Sequence, residues 1–272
     1  MDVKLTGVPE TLLIPLWARA TETKMREPIV LDIPAVRLLT AIDYDFSKFE
    51  RARMSQWGCA VRALLLDRAT QAFLDRHERA CVINLGAGLD TRHARLRHKD
   101  TLWYELDLPE SLELRGRFFK ETSNYRFLAK SVFDVSWFDD VDTADRHVLV
   151  IAEGLFMYFD EREIGELFAR MALRFAGAEM LLEIQGPAIV GKGRRHESVR
   201  KLKNAPDFKW GTSDNKAPEK WSPRIRVQEA WRFLDHFPER LGWIGWLMRL
   251  PFLRAYCEPR IVRLRFETHL PS

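Results

Sequence analysis

Cysteine is scarce in this chain: Cys59, Cys81 and Cys257 are the only three among 272 residues, and they lie far apart. No CxxC spacing occurs, so neither a disulfide framework nor a metal site built on thiolates is expected. A charge excess of one sign is also missing. The 43 Lys and Arg face 39 Asp and Glu, for a formal net charge of +4. There is no basic arm and no lysine run interleaved with aromatics, which argues against a nucleic-acid partner. Long apolar runs are absent too. Met1 to Gly7 hold no apolar signal core, and the most lipid-like stretch, 241–253, is broken by Arg249 and Pro251. It is too short to span a bilayer. Its Trp243, Trp246 and Leu250 fit an amphipathic face that either lies at a surface or, more commonly, packs on its own domain. The expectation is a soluble, cytoplasmic protein without membrane insertion. Internal repeats and low-complexity tracts are not found.

What the chain does contain is core-forming material. Apolar residues make up 46% and aromatics 11%, which suits one large α/β domain or a domain with an appended cap. Residues 9–80 read as helical, at 11–19, 33–42 and 56–76. The last places Ala60, Leu64, Leu65, Ala69, Phe73 and Leu74 on one side. From residue 80 the pattern alternates. Strands are expected at 81–85, 101–106, 125–130, 147–152 and 178–184, with helices at 109–119 and 161–175 between them. This is the βαβ alternation of a doubly wound, mostly parallel sheet. Residues 185–222, rich in Gly, Pro and charge, read as a substrate-covering excursion or a solvated loop. A helix at 227–236, the Trp-rich stretch and a last strand at 261–266 complete the chain. The division is an N-terminal helical cap, 1–79, and a Rossmann-like domain, 80–272, in one compact unit.

The richest phrase is Ala80-Cys81-Val82-Ile83-Asn84-Leu85-Gly86-Ala87-Gly88-Leu89-Asp90-Thr91-Arg92. An apolar strand ends in small residues, so a ligand can approach the backbone. About 20 residues on, Trp103-Tyr104-Glu105-Leu106-Asp107 ends a second strand in acid, where nucleotide-binding α/β units hold ribose hydroxyls. An adenosine-containing ligand follows. A dinucleotide fingerprint needs a third glycine and a helix N-terminus open to pyrophosphate. Here Thr91 takes the glycine's place and Asp90, a ready helix cap, would repel a diphosphate. S-adenosylmethionine (SAM) carries no phosphate and tolerates such a loop better than NAD does.

Five phrases in order resemble the class I methyltransferases of the leucine carboxyl methyltransferase type, in particular a bacterial branch that includes polyketide O-methyltransferases. They are Gly7-Val8-Pro9-Glu10-Thr11, Ile42-Asp43-Tyr44-Asp45-Phe46, the glycine phrase from Asn84 to Arg92, Tyr104-Glu105-Leu106-Asp107-Leu108-Pro109, and Glu153-Gly154-Leu155-Phe156-Met157-Tyr158. The resemblance implies a seven-stranded class I fold with a helical lid and an insertion after the fifth strand. It also implies SAM as cofactor and methyl transfer to the carboxylate or phenolic oxygen of a small, anionic or aromatic, polyketide-like molecule. By the same resemblance, Gly86 and Gly88 lie under the methionine part of SAM, and Asp107, with Glu105, holds the ribose. Asp134 and Val135 bracket the adenine, Arg62 grips the methionine carboxylate, and Glu153 faces the ammonium or sulfonium end.

Each assignment has a plainer rival. Arg62 also reads as a solvated helix arginine, and Asp134 as a cap of the following turn. Glu153 interrupts the run Val148-Leu149-Val150-Ile151-Ala152 at the sheet edge where open α/β folds bind ligands. No catalytic base stands out; Tyr158 and His196 are the candidates, while His93 and His98 read as helix-surface residues. That lack favours a carboxylate acceptor, which is already ionised. Lys192, Arg194 and Arg195 beside His196 either steer an anion or form a solvated loop. Arg19, Tyr44 and Phe46 fall in the lid. The competing functions are a protein C-terminal carboxyl methyltransferase, an NAD-linked oxidoreductase and a non-catalytic adenosine-binding module.

Overall fold

Three α-helices precede the sheet among the described residues, 9–269, of the computed structural model; Gly7 and Val8 of the N-terminal phrase lie outside the described residues. They are α1 (Leu13–Thr23), α2 (Ile33–Ala41) and α3 (Arg53–Arg76). Asp32 starts α2 by accepting the Ala35 N–H, a side-chain cap that satisfies an orphan donor. The alternating part runs β1 (Arg79–Leu85), α4 (Arg92–Arg95), β2 (Asp100–Asp107), α5 (Pro109–Gly116), β3 (Tyr125–Ala129) and α6 (Trp137–Asp140). It continues with β4 (His147–Ala152), α7 (Glu161–Arg174) and β5 (Glu179–Ile184). After the excursion come β6 (Ile225–Arg232), α8 (Trp243–Met248), α9 (Pro251–Cys257) and β7 (Arg260–Phe266).

The strands form one seven-stranded sheet in the order β3-β2-β1-β4-β5-β7-β6. The first five are parallel, and β7 runs antiparallel to both its neighbours. Both faces are covered. Cys81, Ile83 and Leu85 of β1 join one apolar layer, while Ala80 and Val82 join the layer under α3. Period-two alternation with apolar residues on both sides is what a buried parallel strand requires. The chain leaves β1 toward β2 on one side and returns to β4 on the other. That switch point opens a crevice at the carboxyl ends of β1 and β4, where open α/β sheets bind ligands.

Residues 225–232 form a strand, not part of a helix over 227–236. A register shift between Val227 and Glu229 inserts one extra residue against β7. Val227 and Ala230 therefore share a face although three apart, and that spacing imitates a helix. The Trp-rich stretch splits into α8 and α9, and its Trp243, Trp246 and Leu250 remain exposed instead of packing on the domain. No described helix is long and apolar enough to cross a membrane.

His93 is not a helix-surface residue either. Its ring stacks on Tyr125 at 3.9 Å between centroids, and burial pushes its pKa down to about 4. Between that value and about 6.5 the unfolded chain binds a proton that the folded chain refuses. Stability present above pH 6.5 is therefore lost as pH falls toward 4. Melting curves at pH 7.5 and pH 5 should show a fall in Tm that a His93→Phe variant, keeping the stack, reduces.

Candidate active site

The glycine loop is built from the end of β1 outward. Gly86 adopts a left-handed φ of 65°, and an added Cβ would stand 2.8 Å from a Leu155 methyl. Its N–H and that of Ala87 donate to the Leu106 carbonyl at 2.8 and 3.1 Å, tying the loop to β2. Asp107, at the end of β2, accepts from Gly88 N–H and Leu108 N–H, both at 2.7 Å. Burial raises its pKa although these donors oppose the shift. A carboxylate has about four acceptor positions; with the Ser111 hydroxyl as a third donor, Asp107 keeps capacity at the cavity rim for one ribose hydroxyl, and for a second when the Ser111 hydroxyl turns away.

Glu105 points along the same face but does not reach the cavity. It is fully buried, and it accepts from Arg115 Nη2 at 2.6 Å, Asn84 Nδ2 at 2.8 Å and Tyr125 OH at 3.2 Å. Burial pushes its pKa up to about 7 against the pull of Arg115. Arg115 also donates to the Gly88 carbonyl at 2.9 Å. Glu105 thus holds the glycine loop through an arginine of α5 instead of facing the cavity. Asp134 and Val135 are displaced as well. β3 ends at Ala129, so the cavity wall is made by Lys130, Ser131 and Val132. Asp134 is exposed and accepts the Ser136 N–H at 3.1 Å, a turn cap, while Val135 packs against the core.

Behind the loop lies a network of charges. Arg62, from α3, is not solvated: its Nε meets Glu153 Oε1 at 2.9 Å and its Nη1 meets Glu183 Oε2 at 3.1 Å. Close contact is possible because Gly154 carries no side chain; a Cβ there would lie 3.2 Å from Nη1. The other oxygen of Glu153 accepts from Arg92 Nη2 at 2.7 Å. Arg92 also binds Asp67 at 2.8 Å and pairs with Asp90, whose carboxylate accepts the Arg92 N–H at 3.0 Å. Asp90 is thus a cap and an ion-pair partner together. Arg95 joins Asp67, Asp90 and Asp32, and Arg19 closes the chain on Asp32 at 2.8 Å.

Burial opposes ionisation of Glu153, but Arg62 and Arg92 outweigh it and hold its carboxyl below the usual range. Glu183 goes the other way, because burial and the Glu153 charge outweigh its single arginine. The network joins five carboxylates, of Asp32, Asp67, Asp90, Glu153 and Glu183, to four guanidinium groups. One negative charge is left over beside the cavity.

The cavity measures about 700 Å3, within the ~300–1,000 Å3 typical of small-molecule sites. Gly86, Gly88, Asp107, Arg62 and Glu153 all line it, whereas Glu105, Asp134 and Val135 do not. Tyr158 and His196 also line it, from the segment after β4 and from the excursion. Burial raises the Tyr158 pKa and lowers that of His196, so both are neutral at neutral pH. Of the lid and loop candidates Arg19 and Arg195 reach the wall; Tyr44 donates to Glu10 at 2.7 Å and Phe46 packs with α2.

Sequence reasoning missed Asn84, Arg115, Arg92 and Glu183. Only Glu183 carried a readable signal: like Glu153 it is an acid ending an apolar strand, Met180-Leu181-Leu182, on the neighbour of β4.

A profile of the family described as leucine carboxyl methyltransferase matches residues 13–172. Tetracenomycin polyketide synthesis O-methyltransferase TcmP of Streptomyces glaucescens is 34% identical over 86% of this chain and 86% of its own. S-adenosyl-L-methionine-dependent methyltransferase dpfgK of Gibberella zeae is 30% identical over 90% of this chain and 88% of its own. Among solved structures, a Thermobifida fusca protein aligns with a TM-score of 0.58 at 12% identity, over 92% of this chain and 94% of its own. A DUF574-family protein of Streptomyces avermitilis aligns with a TM-score of 0.55 at 10% identity, over 91% and 96%. These two speak to the fold alone. The pinned glycine loop, the rim carboxylate with spare acceptor capacity and the surplus negative charge fit SAM, which carries a sulfonium, an ammonium and one carboxylate. Together with the sequence matches they establish that this chain is a SAM-dependent methyltransferase and belongs to the leucine carboxyl methyltransferase family of the class I fold.

Proposed function

We propose that the enzyme methylates the carboxylate or phenolate oxygen of a small molecule with an apolar body. One observation carries this reading: beyond the glycine loop, the cavity is walled by Ile14, Met54, Leu155, Met157, Phe208 and Met248, with His196 and Tyr158 set among them. Such walls accept a flat or greasy acceptor and exclude water, as a displacement at carbon requires. The name of the Streptomyces glaucescens relative, an O-methyltransferase of polyketide synthesis, supports an acceptor of that kind.

SAM supplies an activated methyl group on a sulfonium, a leaving group that needs no protonation. In this reading Asp107 accepts from the ribose hydroxyls, and the backbone from Gly86 to Gly88 bears the methionine part. Glu153 sets the negative potential for the cationic end. Arg62 keeps Nη2 outside its two ion pairs, and that donor suits the methionine carboxylate. Val132, not Asp134 or Val135, packs beside the adenine. Glu105 acts as a positioning residue through Arg115.

Neutral His196 distinguishes the two acceptor classes. A carboxylic acid arrives ionised and needs only orientation; a phenol, with a pKa near 10, gains from a base. His196→Gln should change kcat less than about tenfold for a carboxylate acceptor. For a phenol the loss should be about 10²-fold or more. The assay that tests the function follows isotopic methyl from SAM into a panel of aromatic acids and phenols. Alkaline release of methanol marks an ester and its absence an ether. Label confined to amines or to protein would contradict the proposal.

A further inference from the structure

The hairpin of α8 and α9 carries its aromatic residues outward. Trp243 and Phe252 are 74% and 73% exposed, and Trp246, Leu247, Leu250 and Tyr256 are exposed beside them. A soluble domain seldom shows so many large apolar side chains in one short segment without a use for them. The hairpin is also anchored. Met248 packs into the layer under α3, and Arg254 is tied to Glu258 and Asp235, both at 2.7 Å. The outward face is therefore a held surface.

Its charge says what covers it. From Arg240 to Cys257 there are three arginines and no acid. Arg254 is paired as described, and Arg240 lies near Glu22 at 3.9 Å. Arg249 is exposed, with its guanidinium 5.3 Å from the Trp246 ring. Trp and Tyr favour the headgroup level of a bilayer, Leu and Phe the acyl boundary below it, and arginine the anionic headgroups. A second copy fits less well. An isologous contact would pair this segment with itself, and the segment holds no carboxylate to meet Arg249.

We infer that the outward face of α8 and α9 seats the enzyme peripherally on an anionic lipid bilayer. The same hairpin supplies Met248 and Cys257 to the cavity wall, so the docked face adjoins the chamber. Docking does not depend on which acceptor is methylated.

Flotation of the full-length protein with phosphatidylcholine vesicles, with and without phosphatidylserine, tests this. The protein should float with the anionic vesicles and its tryptophan emission should shift to the blue. Arg249→Glu, and separately the triple variant Trp243→Ser, Trp246→Ser, Phe252→Ser, should each weaken flotation about tenfold or more. None of these residues lines the cavity, so S-adenosylhomocysteine binding reports that both variants are folded. Failure of the wild type to float with anionic vesicles overturns the proposal, as does equal flotation of the variants. A dimer in solution that the triple variant dissociates also overturns it and gives the face to a second copy.

Discussion

Glu153→Ala should lower folding stability by about 3–5 kcal/mol and remove SAM binding. Glu153 is the acceptor shared by Arg62 Nε and Arg92 Nη2, at 2.9 and 2.7 Å, and both arginines are buried. Deleting it leaves two buried guanidinium groups facing each other's charge with no carboxylate between them. A loss of that size is a large part of the 5–15 kcal/mol by which domains are typically stable. It should appear as a lowered urea midpoint with little change in slope. Glu153→Gln keeps the shape and one acceptor oxygen, so its loss of stability should be smaller. Its affinity for SAM should still fall, because the surplus negative charge beside the cavity is gone. Equal stability of wild type and alanine variant would show that the network does not hold β4 to α3.

Asp107→Ala should weaken SAM about 10²-fold while costing less stability than the Glu153 change. Two hydrogen bonds from ribose hydroxyls to a carboxylate are worth about 3 kcal/mol together, taking the lower figure for charged partners. Asp107 is half-buried at the rim, so water can reach the Gly88 and Leu108 N–H groups it now serves. Asp134→Ala, outside the cavity, should leave affinity unchanged. Calorimetric titration of the three proteins checks both halves. A weakened Asp134 variant with a normal Asp107 variant would reverse the assignment.

The sequence was legible where chemistry and strand geometry coincide. The end of β1 and the acids at the ends of β2 and β4 could be read because an apolar run stopping at glycine or acid is both a strand end and a ligand edge. Glu105 misled because the two-residue rule fixes a direction along the strand and says nothing of what covers it. One pleat inward from Asp107, α5 lies on top, and its Arg115 takes the carboxylate. Asp134 misled because β3 stops five residues before it, bringing Lys130 to Val132 to the wall instead. The bulge near Gln228 hid β6 by turning a period of two into a spacing of three. The charge network was beyond reach for another reason. Its members come from α1, the start of α2, α3, the loop after β1, α4 and the ends of β4 and β5, and no local pattern records which arginine meets which acid.

The proposed seat of the cofactor is the crevice at the ends of β1 and β4, with Asp107 on the ribose. A crystal structure with S-adenosylhomocysteine bound tests it most directly. Both ribose hydroxyls should lie within hydrogen-bond distance of Asp107, with the adenine beside Val132 and the amino-acid end between Gly86 and Glu153. A ribose held by Glu105 with its Arg115 pair broken, or a ligand seated outside this cavity, would contradict it.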